Sequence, residues 1–177
     1  SGVILAQGNL PVGDGFVRDA YKTNNNNWLA PFNLGVASGD PSHESVVIWT
    51  RVQGDSVNDV KGFYYVALDT AFTQMVTSGS FTTGPQANYT IKININNLTP
   101  DTYYYYHFSA LGKNSLTGRT KTAPLTTPSE NQLKFAVLSC QNYEHGFFNL
   151  LGEFANFNDI DAVLHLGDYI YEYKKNQ

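Results

Sequence analysis

The sequence predicts a mainly β protein, in which a β-sandwich of the fibronectin III or immunoglobulin type is followed by part of an α/β unit. Three observations support this fold class. Short segments in which apolar and polar residues alternate recur at even spacing between residues 31 and 127, which is typical of a sandwich. A proline-containing boundary follows them. Beyond it, two continuous apolar runs flank a segment with helical periodicity, which indicates a strand–helix–strand unit.

Residues 1–30 are predicted to form an extended lead-in. They contain Gly-rich and Asn-rich segments, such as PVGDGF and TNNNNW, and no clear hydrophobic periodicity. Their apolar side chains are candidates for packing this segment against the body of the protein: Phe16, Val17, Tyr21 and Trp28.

About seven strands in a Greek-key sandwich are predicted between residues 31 and 127. The segment ESVVIWTRV alternates most clearly, with Val46, Ile48 and Thr50 on one face. Trp49 lies on the opposite face of this strand, and we interpret it as a core aromatic residue rather than one that stacks on a ligand. The other strands are predicted in NLGVAS, GFYYVALD, MVTSGSF, NYTIKININ, YYYYHFSA and LTGRTKT.

The segment LTPDTYY at residues 98–104 resembles the corner motif of fibronectin III domains, Leu-x-Pro-Gly-Thr-x-Tyr, with Asp101 in place of glycine. By this match Tyr104 is the corner tyrosine, and its hydroxyl is expected to bond to nearby backbone. The period-two rule divides the strand that follows into two sets. Tyr104, Tyr106 and Phe108 are predicted to face inward, and Tyr103, Tyr105 and His107 outward.

The boundary APLTTPSE contains two prolines, which a central strand does not accommodate. After it, KFAVLS and DAVLHL are predicted as strands buried on both faces, with an amphipathic helix at about 145–157 between them. One right-handed crossover makes these strands parallel. Residues 128–177 are therefore predicted as the first βαβ unit of a larger, truncated α/β domain, because one such unit cannot cover both faces of its sheet.

Three potential metal ligands occur where these two strands end. Cys140 ends the first strand, Asp168 follows the second, and Tyr171 lies three residues further on. Because the carboxyl ends of parallel strands share one edge, the three side chains are expected to converge there. Thiolate, carboxylate and phenolate are anionic ligands that suit a highly charged cation, and a bound metal can deprotonate a thiol or phenol.

The composition limits the classes of function. The formal net charge of −4 argues against nucleic-acid binding, which needs a basic face. The single cysteine excludes an intramolecular disulfide, and no stretch is long and apolar enough to cross a membrane. The first residues lack the basic and apolar regions of a signal peptide, as in a mature exported protein or a recombinant chain without its leader. A secreted, periplasmic or cell-surface location is expected.

The motifs VLSCQ and HLGDYIYEY, together with PFNLGVASGDPSHESVVIWTRV upstream, resemble the alkaline phosphatase D (PhoD-like) family of calcineurin-like metallophosphatases. In that family a cysteine ends the first catalytic strand and a Gly-Asp-x-x-Tyr motif follows the second. The resemblance extends from about Pro31 onward. It implies that Cys140, Asp168 and Tyr171 are ligands of a ferric ion.

The same resemblance implies that Asp168 bridges to a second site for calcium or another divalent cation. The implied reaction is hydrolysis of small phosphomonoesters and phosphodiesters, in which metals polarise the phosphate and activate a bound water. The family's Gly-Asn-His-Asp/Glu motif, isolated histidine and Gly-His-x-His motif are absent, since none of the four histidines stands in such a setting. The chain is therefore expected to be an inactive fragment, or to receive the rest of the catalytic domain from another polypeptide.

Two alternatives remain open from the residues. A fibronectin-like sandwich with Asn- and Tyr-rich loops could be a binding or adhesion module without catalysis. Purple acid phosphatases also join a β-sandwich to a Gly-Asp-x-x-Tyr motif. They normally carry aspartate at the end of the first strand, so Cys140 argues against that relationship.

Overall fold

The computed structural model describes residues 3–5, 29–125, 132–142, 149–154, 157, 159–169 and 171. The elements within these residues follow in chain order. They are β1 (Val3–Leu5), β2 (Val36–Gly39), β3 (Val46–Arg51), β4 (Val60–Ala67), β5 (Met75–Thr83), a 3₁₀ turn (Pro85–Ala87), β6 (Thr90–Ile95), β7 (Tyr103–Ala110), β8 (Lys113–Asn114), β9 (Gly118–Lys121), β10 (Phe135–Leu138), α1 (Asn149–Phe154) and β11 (Ala162–His165).

Two antiparallel sheets form the predicted sandwich. The first has the strand order β1-β2-β3-β6, and the second has the order β5-β4-β7-β8, with β9 also paired to β7. The chain crosses between the sheets after β3, β5 and β6, as in fibronectin III domains. A separate pair, β10 and β11, is parallel. The predicted fold class, a fibronectin-like sandwich followed by a partial α/β unit, is confirmed.

The core of the sandwich follows the predicted period of two. On β3 the side chains of Val46, Ile48 and Thr50 are fully buried, whereas their neighbours along the strand are only partly so. On β7 the buried residues are Tyr104, Tyr106, Phe108 and Ala110, and the first three were predicted to face inward. These inward side chains pack into one cluster between the two sheets.

The predicted tyrosine corner is also confirmed. The Tyr104 hydroxyl accepts a hydrogen bond from the backbone N–H of Thr99 at 2.7 Å. Thr122 strengthens the corner, because its hydroxyl donates to the Thr99 carbonyl at 2.6 Å and accepts from the Thr102 N–H at 3.0 Å. Asp101, which replaces the usual glycine, has φ 50°. Aspartate is among the few residues that tolerate this left-handed conformation, which explains why it can occupy the glycine position.

The prediction for Trp49 is wrong. Trp49 is only partly buried, on the outer face of the first sheet, where its cross-strand neighbours are Ala37 and Lys92. The core face of β3 carries the residues on either side of it, because successive side chains of a strand point to opposite faces. Trp49 therefore covers the outside of the sandwich.

The strands of the parallel pair are not buried on both faces, contrary to the prediction from the sequence: β10 is buried on one face, and the residues of β11 are only partly buried or exposed. On β10, Ala136 and Leu138 are buried, but Phe135 and Val137 are 48% and 53% exposed. Leu164, the register partner of Val137 on β11, is 38% exposed on the same face. A continuous apolar run is typical of a strand that is covered on both faces. Among the described residues, no element covers the second face of β10.

The helix and the lead-in fall partly outside the described residues. The predicted helix at 145–157 is represented by α1, whose Leu150 is 53% exposed rather than packed. The predicted lead-in contributes β1, which pairs with β2 and lies beside β11. The candidate packing residues of the lead-in, from Phe16 to Trp28, lie outside the described residues. None of the described helices could cross a lipid bilayer.

Candidate functional site

The carboxyl ends of β10 and β11 lie side by side, as one parallel crossover requires. Leu138 and His165 are register partners at the ends of the two strands. Beyond them the backbone pairing continues, because the Cys140 N–H donates to the Gly167 carbonyl at 3.2 Å and the Gln141 N–H donates to the Asp168 carbonyl at 3.1 Å. The loops after the two strands are therefore bonded to each other directly.

The backbone at this edge is unusual. Cys140 has φ 55° and Asp168 has φ 51°, both in the left-handed region, and Gly167 between the strand and Asp168 has φ 124°. Residues other than glycine adopt positive φ at a cost, and such positions cluster at functional sites. Glycine at position 167 is explained by its conformation alone, since a side chain would be strained there.

All three predicted ligands meet at one carboxylate oxygen. The Cys140 Sγ donates to Asp168 Oδ2 at 3.4 Å, and the Tyr171 hydroxyl donates to the same oxygen at 3.1 Å. Cys140 and Asp168 are exposed, and Tyr171 is partly buried. The structure thus brings together the three side chains that the sequence placed at the two strand ends.

The phenol of Tyr171 is held in its protonated form in this arrangement. Hydrogen bonding with Cys140 raises its pKa well above the usual value, and partial desolvation and the Asp168 carboxylate raise it further. Each of these effects favours the neutral phenol over a second anion beside Asp168. Without a cation, the phenol of Tyr171 therefore keeps its proton beside Asp168.

The donor set suits a highly charged metal ion, with two hard oxygen donors and one softer sulfur donor. A carboxylate and a phenolate are oxygen ligands, and with a thiolate they provide three negative charges that offset those of the ion. Among the described residues no three His, Cys, Asp or Glu side chains are placed so that they could hold a metal ion together. The site depends instead on tyrosine for its third donor. The role of these residues as metal ligands remains a prediction.

The structure also identifies His165, which the sequence reasoning did not single out. Its Nδ1 accepts a hydrogen bond from the Gly167 N–H at 3.3 Å, and its ring lies edge-on to Tyr169 with 4.9 Å between ring centroids. Its Nε2 is buried and has no hydrogen-bond partner in the described part of the chain. The signal in the sequence was a polar residue inside an otherwise apolar run, three positions before Asp168.

Comparison with known proteins gives consistent matches along the chain. The family model "PhoD-like phosphatase, N-terminal domain" matches residues 19–124, and "PhoD-like phosphatase" matches residues 135–177. Alkaline phosphatase D of Bacillus subtilis (strain 168) is 40% identical over 154 residues, which are 83% of this chain and 26% of that protein.

A solved structure described as "Structure of PhoD" superposes with a TM-score of 0.75 at 40% sequence identity. The match covers 82% of this chain and 29% of that one. The chain therefore spans little more than a quarter of the length of these relatives.

Proposed function

Because the chain belongs to the PhoD-like phosphatase family, we propose that it forms part of a secreted, metal-dependent phosphatase that hydrolyses small phosphomonoesters and phosphodiesters. The observation that carries this proposal is the convergence of Cys140 and Tyr171 on one oxygen of Asp168. Two protons donated to a single carboxylate oxygen, at an edge built from strained backbone, are more than packing requires.

In this proposal Cys140, Asp168 and Tyr171 hold a ferric ion, and Asp168 also contributes to a second site for calcium or another divalent cation. The bound metals would supply a Lewis acid for the phosphate and a hydroxide at neutral pH. The residues of this chain assemble the ligand set in advance. Cys140 and Tyr171 both hydrogen-bond to Asp168, so the three donors are already adjacent in the protein without a cation.

The net charge and the family bear on how the substrate is attracted and how the catalytic domain is completed. The negative net charge does not attract phosphate esters over a distance, so the attraction would have to come from cations in the site. The rest of the catalytic domain would come from further residues of the same protein or from a separate polypeptide. Family membership favours this enzyme over an adhesion module, and over a purple acid phosphatase, in which Cys140 would be atypical.

The iron site can be tested by absorption spectroscopy on the full-length protein. We expect the protein to bind iron and to show a visible tyrosinate-to-iron charge-transfer band, which disappears in Tyr171→Phe. Tyr169→Phe is the matched control, because Tyr169 lies in the same loop, is 56% exposed and is not among the three converging donors. A visible band that persists in Tyr171→Phe would exclude Tyr171 as the ligand.

The incompleteness of the site can be tested with the 177-residue chain itself. We expect little or no phosphoester hydrolysis and weak iron binding, because this chain lacks the second-metal ligands that clamp the attacking and leaving oxygens. The half-covered sheet would also position the ligand loops poorly, and an error of about 1 Å can cost on the order of a hundredfold in rate. Robust hydrolysis by the pure chain, with a second polypeptide excluded by mass spectrometry, would contradict this expectation.

A further inference from the structure

We infer that His165 is a positioning residue for this site: its imidazole holds the turn at Gly167 and Asp168 in the conformation that presents the Asp168 carboxylate to Cys140 and Tyr171. The role of His165 in metal binding rests on the function proposed above. Its role in holding the turn concerns the metal-free protein as well and can be measured there.

The main-chain groups of the turn are held from two sides. The Cys140 loop binds the two carbonyl groups, since the Cys140 N–H donates to the Gly167 oxygen and the Gln141 N–H donates to the Asp168 oxygen. His165 binds the Gly167 N–H through Nδ1 at 3.3 Å. Among the described residues, His165 is the one whose side chain hydrogen-bonds to the backbone of the turn.

The turn needs such a restraint because its own residues do not determine its backbone conformation. Glycine populates positive φ about as readily as negative φ, so Gly167 at φ 124° is free to change, and aspartate tolerates the φ of 51° at Asp168 without preferring it. The conformation therefore depends on the contacts around the turn. Loss of the Nδ1 contact would therefore let the Asp168 backbone relax and move the carboxylate away from its two donors.

The ring of His165 is fixed in one orientation and one tautomer. A nitrogen that accepts a backbone N–H carries no proton, so in the neutral ring the proton lies on Nε2. Nε2 is buried and has no hydrogen-bond partner among the described residues. The ring is therefore held by the Nδ1 hydrogen bond and by its edge-on contact with the Tyr169 ring. His165 therefore acts on the site through the main chain of Gly167, next to Asp168, in the way that residues around a metal site orient its ligands.

Two substitutions of His165 test the roles of the two ring nitrogens separately. In His165→Asn the side-chain oxygen can occupy the place of Nδ1 and accept the Gly167 N–H. In His165→Gln the polar group extends to the place of Nε2, and the acceptor beside Gly167 is lost. If His165 acts through Nδ1, the asparagine variant should behave like the wild type, and the glutamine variant should be impaired.

Iron affinity and thiol reactivity are the two measurements, both made on the full-length protein. We expect His165→Gln to weaken iron binding by about 10- to 100-fold, which is the usual cost of losing a residue that orients a metal ligand. In the metal-free protein, Cys140 in this variant should react faster with an alkylating reagent, because its contacts to Asp168 and Gly167 loosen. Peptide mass spectrometry assigns the modification to Cys140, and thermal unfolding shows whether each variant is folded.

The outcomes separate this inference from the proposed function. A wild-type protein that binds no iron contradicts the proposed function, while the alkylation rates still decide the role of His165. Iron binding and alkylation that are unchanged in a folded His165→Gln variant overturn the inference. An asparagine variant as impaired as the glutamine variant also overturns it, because the Nδ1 contact would then not be what matters.

Discussion

Asp168→Asn in the full-length protein is expected to lower the rate of phosphoester hydrolysis by about a hundredfold or more. Metal ions contribute several kcal/mol of transition-state stabilisation, and about 1.4 kcal/mol corresponds to a factor of ten. Asparagine removes the negative charge on which Cys140 and Tyr171 converge. It also tolerates the φ of 51° at this position, so the loss should reflect the missing carboxylate rather than a change in the backbone.

Asp40→Asn is the matched control for this substitution. Asp40 directly follows β2, is exposed and has φ 53°, so the same chemical change is made in the same backbone conformation at a residue that is not among the three converging donors. Its hydrolysis rate and iron content should equal those of the wild type. If Asp168→Asn retained wild-type hydrolysis and iron content, Asp168 would not be a metal ligand, and the proposed reaction would need another site.

Phe108→Ala is expected to destabilise the sandwich by about 3–5 kcal/mol, the range measured when buried aromatic residues are truncated. Phe108 is fully buried on β7, and both Phe81 and Tyr106 pack edge-to-face on its ring at 6.2 Å between centroids. Truncation would leave a cavity at the centre of the interface between the two sheets, which the neighbouring strands can fill only in part. Urea denaturation followed by fluorescence measures the free energy of unfolding.

Phe63→Ala separates this core effect from the general cost of losing a phenylalanine in a strand. Phe63 lies on β4, which pairs with β7, and its side chain is 55% exposed on the outer face. We expect a destabilisation of about 1 kcal/mol or less, the span of strand propensities. Equal destabilisation by the two substitutions would show that Phe108 does not occupy the centre of the core.

Much of the fold could be predicted because the pattern of side chains along a strand reports which face is buried. The period of two in β3 and β7 identified the core residues, and the LTPDTYY segment identified Tyr104 as the corner tyrosine that bonds to nearby backbone, which is the Thr99 N–H. The meeting of Cys140 with Asp168 followed from topology. One right-handed crossover makes the two strands parallel, and parallel strands end at a common edge.

Other features were decided by contacts between residues far apart in the sequence. Alternation assigns Trp49 to the face opposite Ile48, but only the packing of the sheets shows that this is the outer face. The apolar run of β10 cannot reveal whether both of its faces are covered in this chain, and Phe135 shows that one is not. The pairing of β1 with β2 likewise joins segments separated by a long stretch without a periodic signal.

The candidate site likewise has features that the sequence predicted and features that it did not. The identity of its three donors could be read from the motifs at the two strand ends, because ligand chemistry is a property of residue types. The left-handed conformations of Cys140 and Asp168, and the contact from His165 to the Gly167 N–H, could not. The two left-handed residues lie where the loops after β10 and β11 hydrogen-bond to each other, and such contacts between distant segments are decided by tertiary structure rather than by local sequence.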